Sequence, residues 1–203
     1  MPFFLTSPWP ALIVWIVLYI SDYAFTIACA RMRRGPISEK IVIEGSYEIT
    51  PYFQRDVDAL RRFSPRFITM LVYSTLLLVA VWFLSAQSFP EFFTFAAGAM
   101  ILIEVTIHIR HLKNFLMYRR MKESDCVRGR IEYSRAFILR TSADELFIFA
   151  GVYALFFAAT LSWFILGGVA SCLSVALKHR RLAQNAEKVS TGAAAVAQPE
   201  RGL

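Results

Sequence analysis

The sequence predicts an all-α integral membrane protein with about four transmembrane helices. Hydrophobic residues make up 57% of the 203 residues and charged residues 18%, whereas a water-soluble domain usually carries about 25% charged residues. The apolar residues also form long uninterrupted runs, with basic residues at their ends. At this length we expect one membrane domain over residues 1–184, followed by a disordered polar tail over residues 185–203.

The first predicted span covers residues 9–30, which is long enough to cross a hydrocarbon core of about 30 Å. Residues 1–10 contain no Lys or Arg, and the first positive charge follows the span at Arg31. This order of charge and apolar run is the reverse of a cleavable signal peptide. We therefore expect the segment to be retained as a membrane anchor.

The polar loop after this span contains two further predicted elements. Two short β-prone stretches flank Gly45 and Ser46, which is typical of a small β-hairpin. Farther along, Phe53, Val57 and Leu60 recur on one face of a short amphipathic helix. That helix is expected either to lie on the cytoplasmic membrane surface or to pack against the protein's own spans.

Two more spans are predicted from apolar runs that are long enough to cross the membrane. Residues 67–86 form the second predicted span and residues 90–109 the third. The helix of the third span is expected to continue into water through Arg120, since nothing in the sequence breaks it earlier. Ser142 and Glu145 then have the Ser-x-x-Glu spacing of a capping box, which predicts where the fourth helix begins.

The fourth predicted span covers residues 145–166 and ends at the pair Gly167 and Gly168. The apolar run continues to Leu177, but what remains after the glycines is too short for another crossing. We therefore expect an interfacial helix over residues 169–182, set off from the span by a glycine hinge.

Small residues in two of these spans predict close contacts between helices. Alanines surround Gly98 in the third span, and alanines at every fourth position accompany Gly151 in the fourth. Side chains this small let helix backbones approach each other, either within one subunit or between subunits.

The distribution of charge predicts the orientation in the membrane. Residues 31–66 hold eight Lys or Arg and residues 110–143 hold nine. The positive-inside rule places both loops in the cytoplasm and the amino terminus outside, in a multi-pass protein most simply assigned to a bacterial inner membrane. Three tryptophans would then reach the outer interface: Trp9, Trp82 and Trp163. One feature disagrees, because four crossings leave the basic residues 178–181 outside as well.

Asp22 and Glu104 are the two acidic residues well inside predicted spans, where a charge costs about 3 kcal/mol on insertion scales. Both lie one to two turns from the cytoplasmic end and therefore at similar depth. Glu104, His108 and His111 also share one helical face. We predict an intramembrane polar site of Asp22, Glu104 and His108, and as a metal set Glu104, His108 and His111. Alternatively, Glu104 is neutral or bonded to a neighbouring helix while the histidines lie among headgroups.

Three functional classes fit these residues. The first is a non-enzymatic accessory or scaffold subunit of a membrane assembly. The second is a small oligomeric ion or proton transporter or channel that uses Asp22 and Glu104. The third is a membrane metal-binding protein or enzyme that uses Glu104, His108 and His111. The sequence contains no complete nucleophile-and-base set, phosphate loop or selectivity filter, so no residue is assigned as catalytic and no cofactor is named.

The net charge of +7 predicts partners of a particular kind. The basic residues flank apolar runs, as expected for a chain held against anionic lipid headgroups of the bilayer rather than against nucleic acid. The helix faces made of small residues further predict a homo-oligomer or another membrane protein as a partner.

Overall fold

The computed structural model describes residues 7–35, 37–123 and 128–196. Within them, six helices are interrupted by two short strands. The helices are α1 (Trp9–Arg34), α2 (Pro51–Asp58), α3 (Pro65–Ser85), α4 (Pro90–Glu123), α5 (Arg135–Thr160) and α6 (Trp163–Val196). The strands are β1 (Ile41–Ile43) and β2 (Ile131–Tyr133). Four of the helices, α1, α3, α4 and α5, are long and apolar enough to cross a membrane, which fits the multi-pass membrane protein that the sequence predicts.

The start of α5 differs from the prediction. The helix begins at Arg135, where the Ser134 hydroxyl accepts a hydrogen bond from the Phe137 amide at 3.2 Å. The capping box predicted from Ser142 and Glu145 is therefore wrong, because both residues lie inside the helix. The Ser-x-x-Glu spacing marks a helix start only where the preceding backbone is not already helical.

The predicted β-hairpin around Gly45 and Ser46 is also wrong. Strand β1 forms where the first arm was expected, but residues 47–50 form no strand. The partner of β1 is β2 from the second polar loop, in a parallel pairing that sets Ile41 opposite Ile131. A short β-prone stretch pairs with whatever edge the packed helices bring beside it, and its own sequence does not identify that edge.

Helix α5 ends in a tight turn that sends the chain back along the bundle. Leu161 caps the helix in the left-handed conformation, with φ +50°, and α6 starts two residues later. Helix α6 packs along α5 and α4 in the opposite direction to α5. Accordingly, Arg140 near the start of α5 forms an ion pair at 2.7 Å with Glu187, far along α6.

This reversal corrects three predictions for the carboxyl-terminal part. The span predicted over residues 145–166 crosses the turn and belongs to two helices. The interfacial helix predicted over residues 169–182 is instead the middle of α6. The tail predicted to be disordered from residue 185 continues α6 to Val196, while residues 197–203 lie outside the described residues. A leucine at the turn gave no sequence signal of a reversal, since glycine or asparagine is usual there.

The glycines predicted as a hinge are packing residues. A Cβ atom on Gly167 would lie 2.1 Å from the Phe95 carbonyl oxygen, and one on Gly98 would lie 1.9 Å from that of Phe164. The backbones of α4 and α6 therefore touch here, as the small residues around Gly98 predict. A Cβ atom on Gly151 would meet no atom within 4 Å, so this glycine makes no such contact in the described part of the subunit.

Helix α2 packs against the spans, which confirms one of the two alternatives for its apolar face. Val57 is only 1% exposed and lies in a cluster with Tyr23 and Ile27 of α1. Phe53 and Leu60 pack against the same cluster.

Both polar loops lie at one end of the helix bundle, which we call the basic end. It comprises the described loop residues 37–50 and 128–134 together with residues 178–188 of α6, which the return of α6 brings beside the start of α5. The basic residues 178–181 therefore lie at the same end as the two loops. The sequence placed residues 178–181 on the opposite side from the two loops because the chain was expected not to return after the fourth span. The return of α6 removes that disagreement.

Candidate functional site: a polar cavity at the basic end

A cavity of about 570 Å³ lies between the helices at the basic end. Its volume falls in the range of about 300–1,000 Å³ that is usual for small-molecule sites. Most of the lining side chains are apolar or aromatic. Eight ionisable side chains other than tyrosines also line it: Asp22, Glu48, Glu104, Arg110, His111, Lys113, Glu145 and His179.

The structure brings Asp22, Glu104 and His108 together. One oxygen of each carboxylate and one ring nitrogen of His108 all lie within 4.8 Å of one another, with Asp22 on α1 and the other two on α4. Glu104 is only 6% exposed, and its Oε2 has no hydrogen-bond partner among the described residues. Asp22 and Glu104 line the cavity, whereas His108 does not.

The hydrogen bonds of His108 define which nitrogen is available to a ligand. Its Nδ1 lies 2.7 Å from the Glu104 carbonyl oxygen, one turn back on α4. A carbonyl oxygen only accepts, so Nδ1 carries the hydrogen and donates it. The lone pair of the neutral ring is then on Nε2, which lies 2.7 Å from the Ser21 hydroxyl. A histidine whose other nitrogen donates to a backbone carbonyl is the usual arrangement of a metal ligand.

His111 lies beside this cluster rather than in it. Its Nε2 is 3.0 Å from Asp22 Oδ1 and 3.1 Å from the Thr26 hydroxyl. The contact with Asp22 is at ion-pair distance but lacks the geometry of a hydrogen bond, since Asp22 Oδ1 has no hydrogen-bond partner among the described residues. Among the described residues, the donor atoms that lie together are those of Asp22, Glu104 and His108, whereas the predicted metal set of Glu104, His108 and His111 does not form such a group.

The first polar loop closes over the cavity and contributes Glu48, which the sequence did not single out. Arg135 donates to the carbonyl oxygens of Ser46 at 2.9 Å, Glu48 at 3.2 Å and Ile49 at 2.8 Å. The Glu48 carboxylate accepts a hydrogen bond from the Thr50 amide at 2.7 Å. Burial raises the pKa of Glu48 above its ordinary value, although the bonds from Thr50 oppose that shift.

Arg110 and Lys113 of α4 share the carboxylate of Glu145 on α5, and all three residues line the cavity. The Arg110 Nε lies 2.8 Å from Glu145 Oε2, and Lys113 forms an ion pair with the other oxygen of Glu145. The Arg110 side chain is 19% exposed and that of Lys113 is 59% exposed, so the cavity reaches the protein surface near Lys113. The sequence assigned Glu145 to a helix cap and therefore did not predict these ion pairs. Arg110 and Lys113 stand three residues apart, which places them on one helical face.

His179 lines the cavity from α6, beyond the apolar part of that helix. Its Nδ1 lies 2.8 Å from the Ser142 hydroxyl. Burial lowers the pKa of His179 to about 4, and the positive charges of Arg110, Lys178 and Arg135 add to the effect. The imidazole is therefore neutral at physiological pH.

No protein-family model, curated protein or solved structure matches this chain. The functional assignment therefore depends on the geometry of the cavity and on the chemistry of the side chains that line it.

Proposed function

We propose that this chain is a multi-pass membrane protein that binds a divalent transition-metal ion through Asp22, Glu104 and His108. The observation that carries the proposal is the unpartnered Oε2 of the buried Glu104, close to donor atoms of the other two residues. A buried carboxylate without a partner is expensive, and a bound cation offsets that cost. Asp22 has His111 at ion-pair distance, whereas the described residues offer Glu104 no cation of its own.

The donor set fits a borderline metal such as zinc, iron or manganese. Carboxylate oxygens and imidazole nitrogen are both usual ligands of these ions. His108 would bind through Nε2, exchanging the contact with the Ser21 hydroxyl for the metal. Three protein ligands leave further coordination positions open, which is typical of sites that act on a substrate rather than of closed structural sites.

The cavity is proposed to open to the cytoplasm. Both basic loops lie around it, and the positive-inside rule assigns them to that side, with the amino terminus outside. The return of α6 supports this orientation, because residues 178–181 then add to the same positive end. Anionic headgroups of a bacterial inner membrane would surround that end.

Metal analysis of purified protein tests the proposal. Protein prepared free of metal, then incubated with zinc or manganese and desalted, should retain about one equivalent by mass spectrometry. Glu104→Gln and Asp22→Asn should each weaken the metal affinity at least tenfold while the protein still folds. Asp144→Asn is the matched control, because Asp144 is exposed on α5 outside the cavity. Equal metal binding by Glu104→Gln and Asp144→Asn would contradict the site.

Proton or ion transport is a second candidate, favoured by the Asp22–His111 contact of 3.0 Å beside Glu104. Carboxylates paired with histidine inside a membrane are typical of proton relays. Flux into liposomes that is lost in Glu104→Gln, without bound metal in the wild type, would favour this candidate. If well-folded protein binds no metal and shows no flux, the accessory-subunit hypothesis is favoured.

A further inference from the structure

We infer that the same cavity receives a second ligand, a small amphiphilic molecule whose anionic group binds Arg110. The inference rests on the proposed function in one respect: a bound cation is needed to offset the carboxylates of Asp22 and Glu104, which otherwise repel an anion.

The volume of the cavity exceeds what a metal ion requires. One water molecule accounts for about 30 Å³ of liquid volume, so an ion with a few waters fills only part of the cavity of about 570 Å³. The space that remains is sufficient for a small organic molecule.

Arg110 has hydrogen-bond donors to spare. Its Nε binds Glu145, but its two terminal nitrogens make no hydrogen bond to any residue in the described ranges. The Arg110 side chain is 19% exposed, and a guanidinium binds planar or tetrahedral oxyanions strongly through such paired donors. Glu145 is shared with Lys113, so this wall carries one unneutralised positive charge.

Another part of the lining suits an apolar body. Phe67 stacks on Tyr19 at 4.9 Å and on Tyr23 at 4.5 Å between ring centroids, and all three rings line the cavity. Aromatic surfaces bind flat or aliphatic groups by burial of apolar area. The ligand therefore combines a phosphate-like or carboxylate head with an apolar body, a chemistry shared by soluble organic phosphates and anionic lipids.

Calorimetry with inorganic phosphate and phenyl phosphate tests the inference on zinc-loaded protein in phosphatidylcholine nanodiscs. Phenyl phosphate should bind at least tenfold more tightly than inorganic phosphate, because its ring fills the aromatic part of the cavity. Arg110→Met should weaken phenyl phosphate binding at least tenfold. Arg110→Lys should also weaken this binding, because lysine keeps the charge but not the paired donors. Arg119→Met is the matched control and should change the affinity less than threefold, since Arg119 lies on the same helix, pairs with Glu123 in solvent and does not line the cavity.

The outcomes separate this inference from the proposed function. If Arg110→Met keeps its zinc content but loses phenyl phosphate binding, the result supports both the metal site and the anion-binding inference. Zinc binding without any phenyl phosphate binding by the wild type, or equal binding by wild type and Arg110→Met, overturns the inference and leaves the metal site standing. If the wild type binds no zinc, the proposed function fails; phenyl phosphate binding that Arg110→Met then abolishes in zinc-free protein would still support the anion site, and no phenyl phosphate binding would overturn this inference as well. Competition by phosphatidic acid in the nanodisc would identify a lipid as the source, and its absence a soluble molecule.

Discussion

Replacing Gly167 by Ala forces the backbones of α4 and α6 apart. The added Cβ would lie 2.1 Å from the Phe95 carbonyl oxygen and 2.5 Å from the Ala99 amide nitrogen, both of them backbone atoms. Non-bonded heavy atoms prefer a separation of about 3.5 Å, so the helices must separate by more than about 1 Å. Overpacking of this kind costs about 1–3 kcal/mol where side chains adjust, and the upper value applies where only backbone can move.

Thermal unfolding in detergent, followed by tryptophan fluorescence, measures the effect. A loss of about 3 kcal/mol lowers the Tm of a chain of this size by about 6–12 °C. Gly151→Ala is the matched control, because its new Cβ meets nothing within 4 Å. Alanine is favoured over glycine inside a helix by about 1 kcal/mol, so this variant should keep or slightly raise its Tm. Equal Tm values for the two variants would refute the close packing of α4 on α6.

Three further predictions follow from the basic end. Arg135→Met removes the bonds to three carbonyl groups and should speed hydrogen exchange at residues 46–49 at least tenfold by mass spectrometry. His179 has a lowered pKa in the folded protein, so its protonation favours unfolding, and stability should fall as pH decreases from about 6.5 towards 4; His179→Asn should show a shallower fall in Tm over that window. Cysteines at Val42 and Glu132, in a background without native cysteines, should form a disulfide because these residues are direct partners in the parallel pairing, and no cross-link would contradict that pairing.

The sequence predicted that Asp22, Glu104 and His108 lie close together, but it did not predict the segments packed around them. Asp22 and Glu104 stood out because a carboxylate inside an apolar run needs a physical reason, and their equal depth suggested a shared location. Helical spacing then added His108. Position along a helix follows directly from the sequence, so the proximity of these three residues could be predicted.

The rest of the site depends on contacts between distant segments. Glu48 lies in an ordinary polar loop, and only its anchoring by Arg135 brings it over the cavity. Likewise, Arg110 and Glu145 stand on different helices whose register the sequence does not specify. The reversal at Leu161 lacks the usual glycine signal, so the approach of His179 to the cavity was not predicted.

X-ray absorption spectroscopy of the zinc-loaded protein tests the central claim most directly, because it reports the atoms that bind the metal. The proposed site predicts a first shell of oxygen and nitrogen at about 2.0–2.2 Å, with the outer scattering of one imidazole that disappears in His108→Gln. A first shell that contains sulfur, or one without any imidazole in the wild type, would contradict a site formed by Asp22, Glu104 and His108.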